Sequence, residues 1–186
     1  NTKLEIIEKE DKMVVHTSKN YEEELENLRT RVMTMGGRVE SQVRLAILAY
    51  SEGDTKIAQQ VLDTEREINQ EQLSTDLMCS EVIARRQPAA KDLRLLLGVI
   101  RTISDLERIA DQAAKIAKLV LRNEERGALP RIHGTFQSAE MAMTMLRKAL
   151  DAFTREDGKA AREVMGSDSE LDAQYIGSMR QLITYM

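Results

Sequence analysis

The sequence is poor in residues that build sheets and interrupt helices. Among its 186 residues, 3% are aromatic, two are proline and none is tryptophan. Aromatic residues favour strands and proline breaks helix interiors, so their scarcity argues against a β-rich fold. The apolar residues are mainly Leu, Ile, Val and Ala, together with ten Met. This composition is typical of a helix bundle.

Cysteine and long apolar runs are scarce as well. The single cysteine, Cys79, excludes an internal disulfide and suits a reducing compartment. No apolar run approaches the roughly 18–20 residues that span a bilayer. The 27 basic and 31 acidic residues give a net charge of −4, with both signs interspersed and no basic stripe apparent. We therefore expect a cytoplasmic protein that neither binds nucleic acid nor inserts directly into a membrane.

The N-terminal two thirds of the chain predict a three-helix bundle over residues 20–122. Residues 1–19 are polar and weakly periodic, so we expect a flexible tail there. Helices are predicted from about Tyr21 to Ser51, from about Thr55 to Arg86, and from Pro88 to about Arg122. Pro88 suits the first position of a helix, where no backbone N–H is needed. Gly53 and Asp54 are expected to cap the junction between the first two helices.

Apolar residues recur every three or four positions on the first and third helices, as expected for faces buried against neighbouring helices. On the first helix these are Leu25, Leu28, Val32, Met35, Val39, Val43 and Ala46. On the third they are Ile103, Leu106, Ala110, Ala113, Ala117 and Val120. The pair Gly36-Gly37 lies in the middle of the first helix, where glycine is unfavourable. It indicates either a close approach of another backbone or a tolerated weak spot.

An internal repeat relates the two halves of the chain. A shift of 103 positions aligns seven identical residues without a gap. They are Arg44, Ala46, Ala49, Asp54, Lys56, Ala58 and Val61, repeated as Arg147, Ala149, Ala152, Asp157, Lys159, Ala161 and Val164. Residues 123–131 are predicted to be a linker, and residues 132–186 a copy of the first two helices. A third helix would start near 88 + 103 = 191, so we expect a partial second bundle whose open apolar face further residues or another chain would cover.

Acidic and amide side chains suggest a metal site. Glu107 and Asp111 are four residues apart and lie on one side of the third helix. Glu65 and Asn69 are four residues apart on the second helix. Both pairs lie some 30 Å from the turn that joins the two helices, so they should face each other at the same level. The repeat adds Asp168 and Asp172 as the second copy of the helix-two pair. Such oxygen ligands suit iron, zinc or another divalent metal. The alternative is a solvated acidic face with Arg94, Arg108 and Lys115 as its partners.

Catalytic chemistry is not indicated. The two histidines, His16 and His133, lie far from any Glu-x-x-His pair of the kind that di-iron oxidases place on inward-facing helices. Cys79 has no histidine near it in sequence and is better explained as a small core residue. The sequence also lacks a glycine-rich loop that would cradle phosphate. We therefore do not expect an enzyme.

With these residues in hand, the chain resembles the PhoU family of bacterial phosphate-uptake regulators from about residue 20 to residue 186. The matching motifs are 28–37 (LRTRVMTMGG), 86–88 (RQP), 92–94 (DLR), 106–111 (LERIAD) and 179–186 (MRQLITYM). The resemblance implies two tandem three-helix bundles, of which the second lacks its third helix here. It also implies metal ligation by E/D-xxx-D motifs. Glu107 and Asp111 match the third-helix motif and Asp168 and Asp172 the second-helix motif, whereas Glu65 and Asn69 match only in part.

The function that the resemblance implies is negative regulation of phosphate uptake and of the phosphate-starvation genes. Such a protein is an adaptor between the ATPase subunit of the phosphate ABC transporter and a membrane sensor histidine kinase. We accordingly expect a homodimer in the cytoplasm, peripheral to the inner membrane through these partners. The alternatives are a carboxylate-bridged metal protein whose metal state is its activity, and a purely structural oligomerisation module.

Overall fold

The computed structural model describes residues 2–123 and 134–185, which form helices and no strand. Their order is α1 (Thr2–Glu52), α2 (Thr55–Arg86), α3 (Ala90–Arg122), α4 (Thr135–Thr154), α5 (Gly158–Gly166) and α6 (Asp168–Tyr185). The predicted all-α class is confirmed. The predicted linker lies outside the described residues, except for Asn123, which caps the end of α3.

The first three helices pack against one another as the predicted bundle. Every predicted inner-face residue of α1 and α3 is buried, apart from Val43, which is partly buried. Helix α2 completes the core with its own buried residues, which are Ala58, Val61, Ile68, Thr75, Cys79 and Val82. The 3.6-residue period of the apolar positions therefore identified the core of this bundle correctly.

The helix boundaries agree with the prediction in α2 and differ in α1 and α3. The Asp54 side chain accepts hydrogen bonds from the backbone N–H groups of Lys56 and Ile57, which satisfies two of the free donors at the start of α2. Gly53 has φ +69°, a left-handed conformation that glycine adopts without strain. Helix α1 begins at Thr2 instead of near Tyr21, because extending a formed helix requires no new nucleation.

The turn between α2 and α3 is longer than predicted. Gln87 caps the end of α2 in a left-handed conformation with φ 46°, and Ala89 has the extended backbone of an N-cap. Pro88 therefore lies before the helix, not at its first position as predicted. Proline disfavours helical geometry in the residue before it, which explains why α2 stops at Arg86.

The second half repeats the α1–α2 hairpin with two changes. Asp157 caps α5 through the N–H groups of Lys159 and Ala160, just as Asp54 caps α2. The copy of α2 is interrupted at Ser167, which separates α5 from α6, although the repeat predicts one continuous helix. Gly166 and Ser167 are weaker helix formers than most residues of α2, which favours the break there. Glu156 takes the place of Gly53 and has φ 52°.

Helix α4 packs against α1 and joins the two halves. Met143, Leu150 and Ala152 of α4 are buried, and Leu150 belongs to the same core cluster as the inner face of α1. A Cβ atom added at Gly36 would lie 2.4 Å from Cδ1 of Leu150, whereas one added at Gly37 would meet nothing within 4 Å. Gly36 is therefore the site of a close approach, although by the Leu150 side chain and not by another backbone as predicted.

Candidate functional site

A network of charged groups ties the start of the bundle to the α2–α3 turn. Arg86 donates from Nε to one carboxylate oxygen of Glu24 at 3.2 Å and from a terminal nitrogen to the other at 3.0 Å, and Arg85 donates to the same carboxylate at 3.0 Å. The Arg86 guanidinium lies 5.9 Å from the centre of the Tyr21 ring, and the Tyr21 hydroxyl donates to Asp92 at 3.2 Å. Arg86 of the RQP motif and Asp92 of the DLR motif thus connect the α2–α3 turn to α1.

These contacts affect the ionisation of the acid at their centre. The hydrogen bond from Arg86 is the main reason that the pKa of Glu24 lies below its ordinary value. Glu24 therefore stays ionised into mildly acidic solution, where free glutamates begin to take up protons.

The predicted metal residues of the first half lie at similar levels on α2 and α3. Ala58 and Val61 near the start of α2 share a core cluster with Ala117 and Val120 near the end of α3, so the two helices run antiparallel with the expected register. Glu65 is engaged within its own helix, because the Asn69 amide donates to it at 2.7 Å.

The carboxylates of α3 and α6 have other surroundings. Lys115 lies 2.8 Å from Asp111, and this contact is the main cause that lowers the pKa of Asp111. Asp168 and Asp172 are exposed at the start of α6. Within residues 2–123 and 134–185, no three His, Cys, Asp or Glu side chains come together closely enough to hold a metal ion. The metal site predicted from Glu65, Asn69, Glu107, Asp111, Asp168 and Asp172 therefore stays a prediction.

An apolar groove opens between α3 and the second half of the chain. Its volume is about 410 Å³, and Leu106 and Ile109 of α3 form one wall. The opposite wall includes Ala142, Leu146, Ala149, Val164 and Leu171. In the repeat these five correspond to Val39, Val43, Ala46, Val61 and Ile68, which line the core of the first bundle. The groove is therefore the open counterpart of a bundle core.

Helix α6 also presents exposed apolar side chains to solvent. These are Tyr175, Ile176, Met179 and Ile183. On α2, Leu73 is exposed at the position that corresponds to Ile176 in the repeat. Both halves thus offer an apolar side chain at the same place in the helical hairpin.

Ion pairs hold the two halves together. Arg147 of α4 binds both carboxylate oxygens of Glu40, with its Nε at 2.8 Å from one of them. Arg44 reaches Glu140 at 3.2 Å. The hydrogen bond from Arg147 is the main cause that lowers the pKa of Glu40.

Glu156 forms a second connection between the halves, at the end of α4. Its carboxylate lies 2.6 Å from Arg29 of α1 and 3.3 Å from Lys91 of α3. The left-handed backbone is unfavourable for any residue with a Cβ, and glycine is found at the corresponding position of the first half. In this conformation the Glu156 carboxylate contacts both α1 and α3 from the end of α4.

The outer face of α3 carries a row of cations that the sequence analysis missed. Arg94, Arg101, Arg108, Lys115 and Arg122 recur at every seventh residue, and all five are exposed. Seven residues are nearly two helical turns, so the side chains form one stripe that drifts by about 20° per step. We call these five residues the basic stripe. The expectation that the chain carries no basic stripe was wrong, and a search for basic residues at a period of seven would have found it.

No helix in the described part of the chain is both long and apolar enough to cross a membrane. The groove, the exposed apolar side chains of α6 and the basic stripe all lie on helix surfaces. The protein therefore belongs to the class of helical bundles built from an internal repeat, with exposed apolar and basic faces of the kind that bind other macromolecules.

Comparisons with known proteins give the particular family. The protein-family model of the PhoU domain matches the sequence over residues 32–120 and 137–186. A PhoU homolog of the phosphate-specific transport system from Pseudomonas putida is 41% identical over 92% of this chain and 67% of its own length. The accessory protein PhoU of Escherichia coli K12 is 39% identical over 92% of this chain and 71% of its own length. The chain belongs to the PhoU family.

Solved structures agree with this assignment. The crystal structure of PhoU from Pseudomonas aeruginosa has a TM-score of 0.83 at 39% identity, covering 89% of this chain and 80% of that one. The phosphate transport system regulatory protein PhoU from Streptococcus pneumoniae has a TM-score of 0.81 at 28% identity, covering 89% of this chain and 78% of that one. The resemblance predicted from the motifs is therefore confirmed.

Proposed function

We propose that the protein is a non-catalytic negative regulator of phosphate uptake and of the phosphate-starvation genes. The observation that carries this proposal is the identity of about 40% to PhoU proteins over 92% of the chain, since those relatives are named as accessory proteins of phosphate-specific transport. In the proposed mechanism, helix faces bind the transporter ATPase subunit and the sensor histidine kinase, so that the kinase responds to the state of the transporter.

The surfaces of the described residues support an adaptor. The groove beside α3, the apolar side chains of α6 and the exposed Leu73 are all suited to contacts with other proteins. An adaptor needs several such faces at once, because it has to bind two partners and transmit a change between them. The predicted homodimer would use one of these faces, and it remains a prediction.

Phosphatase reporter activity in phosphate-rich medium tests the regulatory role. Cells that lack the gene should show high activity, and the full-length protein supplied in trans should return it to a low level. Unchanged activity on deletion would overturn the proposal. Co-purification from phosphate-rich cells then tests the partners, since neither the ATPase subunit nor the kinase would be recovered if the adaptor mechanism were incorrect.

The metal hypothesis predicts a different result for the same reporter. If a carboxylate-bound metal is the activity, Glu107→Ala and Asp111→Ala should abolish both regulation and metal binding after loading with iron, zinc or manganese. If the protein is only a structural module, these changes should have no effect, whereas Leu106→Ala in the core should. Elemental analysis of the wild-type protein after loading with iron, zinc or manganese distinguishes the metal hypothesis from the structural-module hypothesis. If no metal is bound, the metal hypothesis is wrong.

A further inference from the structure

The basic stripe is long and regular. From Arg94 to Arg122 it extends over 28 residues of α3, which is about 42 Å at 1.5 Å per residue. All of its members lie on the side of the helix opposite the buried seam of the bundle. We propose that the stripe is a docking surface for an acidic α-helix of a partner protein.

Three of the five cations are available to such a partner. Arg108 and Lys115 each have an acid on their own helix, Asp105 at 3.4 Å and Asp111 at 2.8 Å. Arg94, Arg101 and Arg122 form no ion pair within residues 2–123 and 134–185. By contrast, the arginines between α1 and α4 hold carboxylates of the other half. The stripe thus retains free positive charge on a chain whose net charge is −4.

The spacing favours a helical partner. Two helices that wind around each other in a left-handed supercoil meet every seven residues, which is the period of these cations, and the supercoil follows the drift of about 20° per step. Leu97 and Leu119 are 42% and 43% exposed near the two ends of the stripe and add apolar contacts of the kind that helix packing uses. Acids at the same period on the partner would face each cation in turn.

Two other anionic surfaces fit the stripe less well. A helix that binds a membrane surface buries a broad apolar face, whereas this face has leucine only near its ends. A helix face about 42 Å long also extends past the curved surface of a nucleic-acid duplex, so only part of the stripe would reach phosphates. The inference stands on α3 alone and is independent of the phosphate-regulation proposal.

Fluorescence anisotropy with two synthetic peptides tests the geometry as well as the charge. Both are 29-residue alanine-based helices with five glutamates and a fluorescein label. In the first peptide the glutamates recur every seventh residue, and in the second every fifth, which spreads them around the helix. The full chain should bind the first peptide at least several-fold more tightly than the second, and added salt should weaken the binding because exposed charges are screened.

Matched charge-reversed proteins test the surface. The stripe variant carries Arg94→Glu, Arg101→Glu and Arg122→Glu. The control variant carries Lys56→Glu, Lys148→Glu and Arg162→Glu, three exposed cations outside the stripe. The stripe variant should bind the first peptide about tenfold or more weakly than wild type, as expected for three lost surface pairs, and the control should bind it within about twofold of wild type. Circular dichroism verifies that both variants fold.

The outcomes that overturn the inference are distinct. Equal binding of the two peptides, no binding of either, or equal losses in the two variants would show that the stripe is not a helix-docking surface. Stripe-dependent binding to vesicles of 30% phosphatidylglycerol in phosphatidylcholine, or to a 30-base-pair duplex, without binding to the first peptide would replace the proposed partner with a membrane or a nucleic acid.

Discussion

Alanine at Gly36 is the sharpest test of how α4 packs on the first bundle. The new Cβ would lie 2.4 Å from Cδ1 of Leu150, 3.3 Å from Cδ2 and 3.4 Å from Cγ. Ordinary carbon contacts begin near 3.5 Å, so Leu150 has to move by about 1 Å. Leu150 is only 7% exposed and belongs to the core cluster, but it also lines the apolar groove, so part of the overlap can be relieved by a movement of its side chain toward that space. Such overpacking costs about 1–3 kcal/mol.

The adjacent Gly37 provides the matched control. It lies in the same turn of α1, and an added Cβ there meets nothing within 4 Å. Both substitutions gain about 1 kcal/mol of helix propensity, so their difference isolates the packing cost. We expect Gly37→Ala to stabilise the protein by about 0.5–1 kcal/mol, and Gly36→Ala to be about 1–3 kcal/mol less stable than Gly37→Ala.

Urea unfolding followed by circular dichroism at 222 nm measures both values. Leu150→Ala alone should cost about 2–5 kcal/mol because it leaves a cavity. Since it also removes the clash, the Gly36→Ala/Leu150→Ala double variant should be more stable than the sum of the single effects by about 1–3 kcal/mol. If Gly36→Ala and Gly37→Ala agree within about 0.5 kcal/mol, the described approach of α4 to α1 is incorrect.

Three further predictions concern single groups. Asp54→Ala should cost about 1 kcal/mol in urea unfolding because it removes the cap of α2, and Asp54→Asn, which retains the acceptor, should restore most of the loss. The pKa of Glu24 is lowered in the folded state, so its stabilising effect is full above the ordinary value of 4.5 and is lost as the pH falls through the lower folded pKa. Glu24→Gln should therefore reduce the dependence of the urea midpoint on pH below 4.5, and an unchanged profile would contradict the role assigned to the Arg86 contact. Burial raises the pKa of the Cys79 thiol to about 11, so a thiol reagent at pH 8 should label the protein only after unfolding, and rapid labelling of the native state would contradict this placement.

Local signals in the sequence determined most of the first bundle. The apolar period identified the buried faces of α1 and α3, and the cap at Asp54 placed the start of α2 at the observed residue. The repeat placed the equivalent cap at Asp157. These features depend on residues within a few positions of each other, where helix geometry alone determines which side chains meet.

Sequence reasoning about the surfaces was less complete. The period of seven in the basic stripe is visible in the sequence, yet the nearly balanced total charge concealed it. Counting residues from the turn predicted the heights of the acidic pairs on α2 and α3, but height along a helix does not determine which side chain each acid contacts. Asn69 donates to Glu65 and Lys115 lies against Asp111, because a neighbour one turn away is the nearest partner that a helix offers.

Tertiary structure alone decided how the two halves are joined. The sequence left two interpretations of Gly36 open, and only the position of Leu150 distinguishes them. Nothing local indicates that Glu156 would replace a turn glycine and hold Arg29 and Lys91. These contacts connect residues 65 to 127 positions apart, and their geometry depends on how α4 packs on the whole first bundle. The sequence by itself thus determined the helices and their buried faces, whereas the assembled core determined which distant side chains meet.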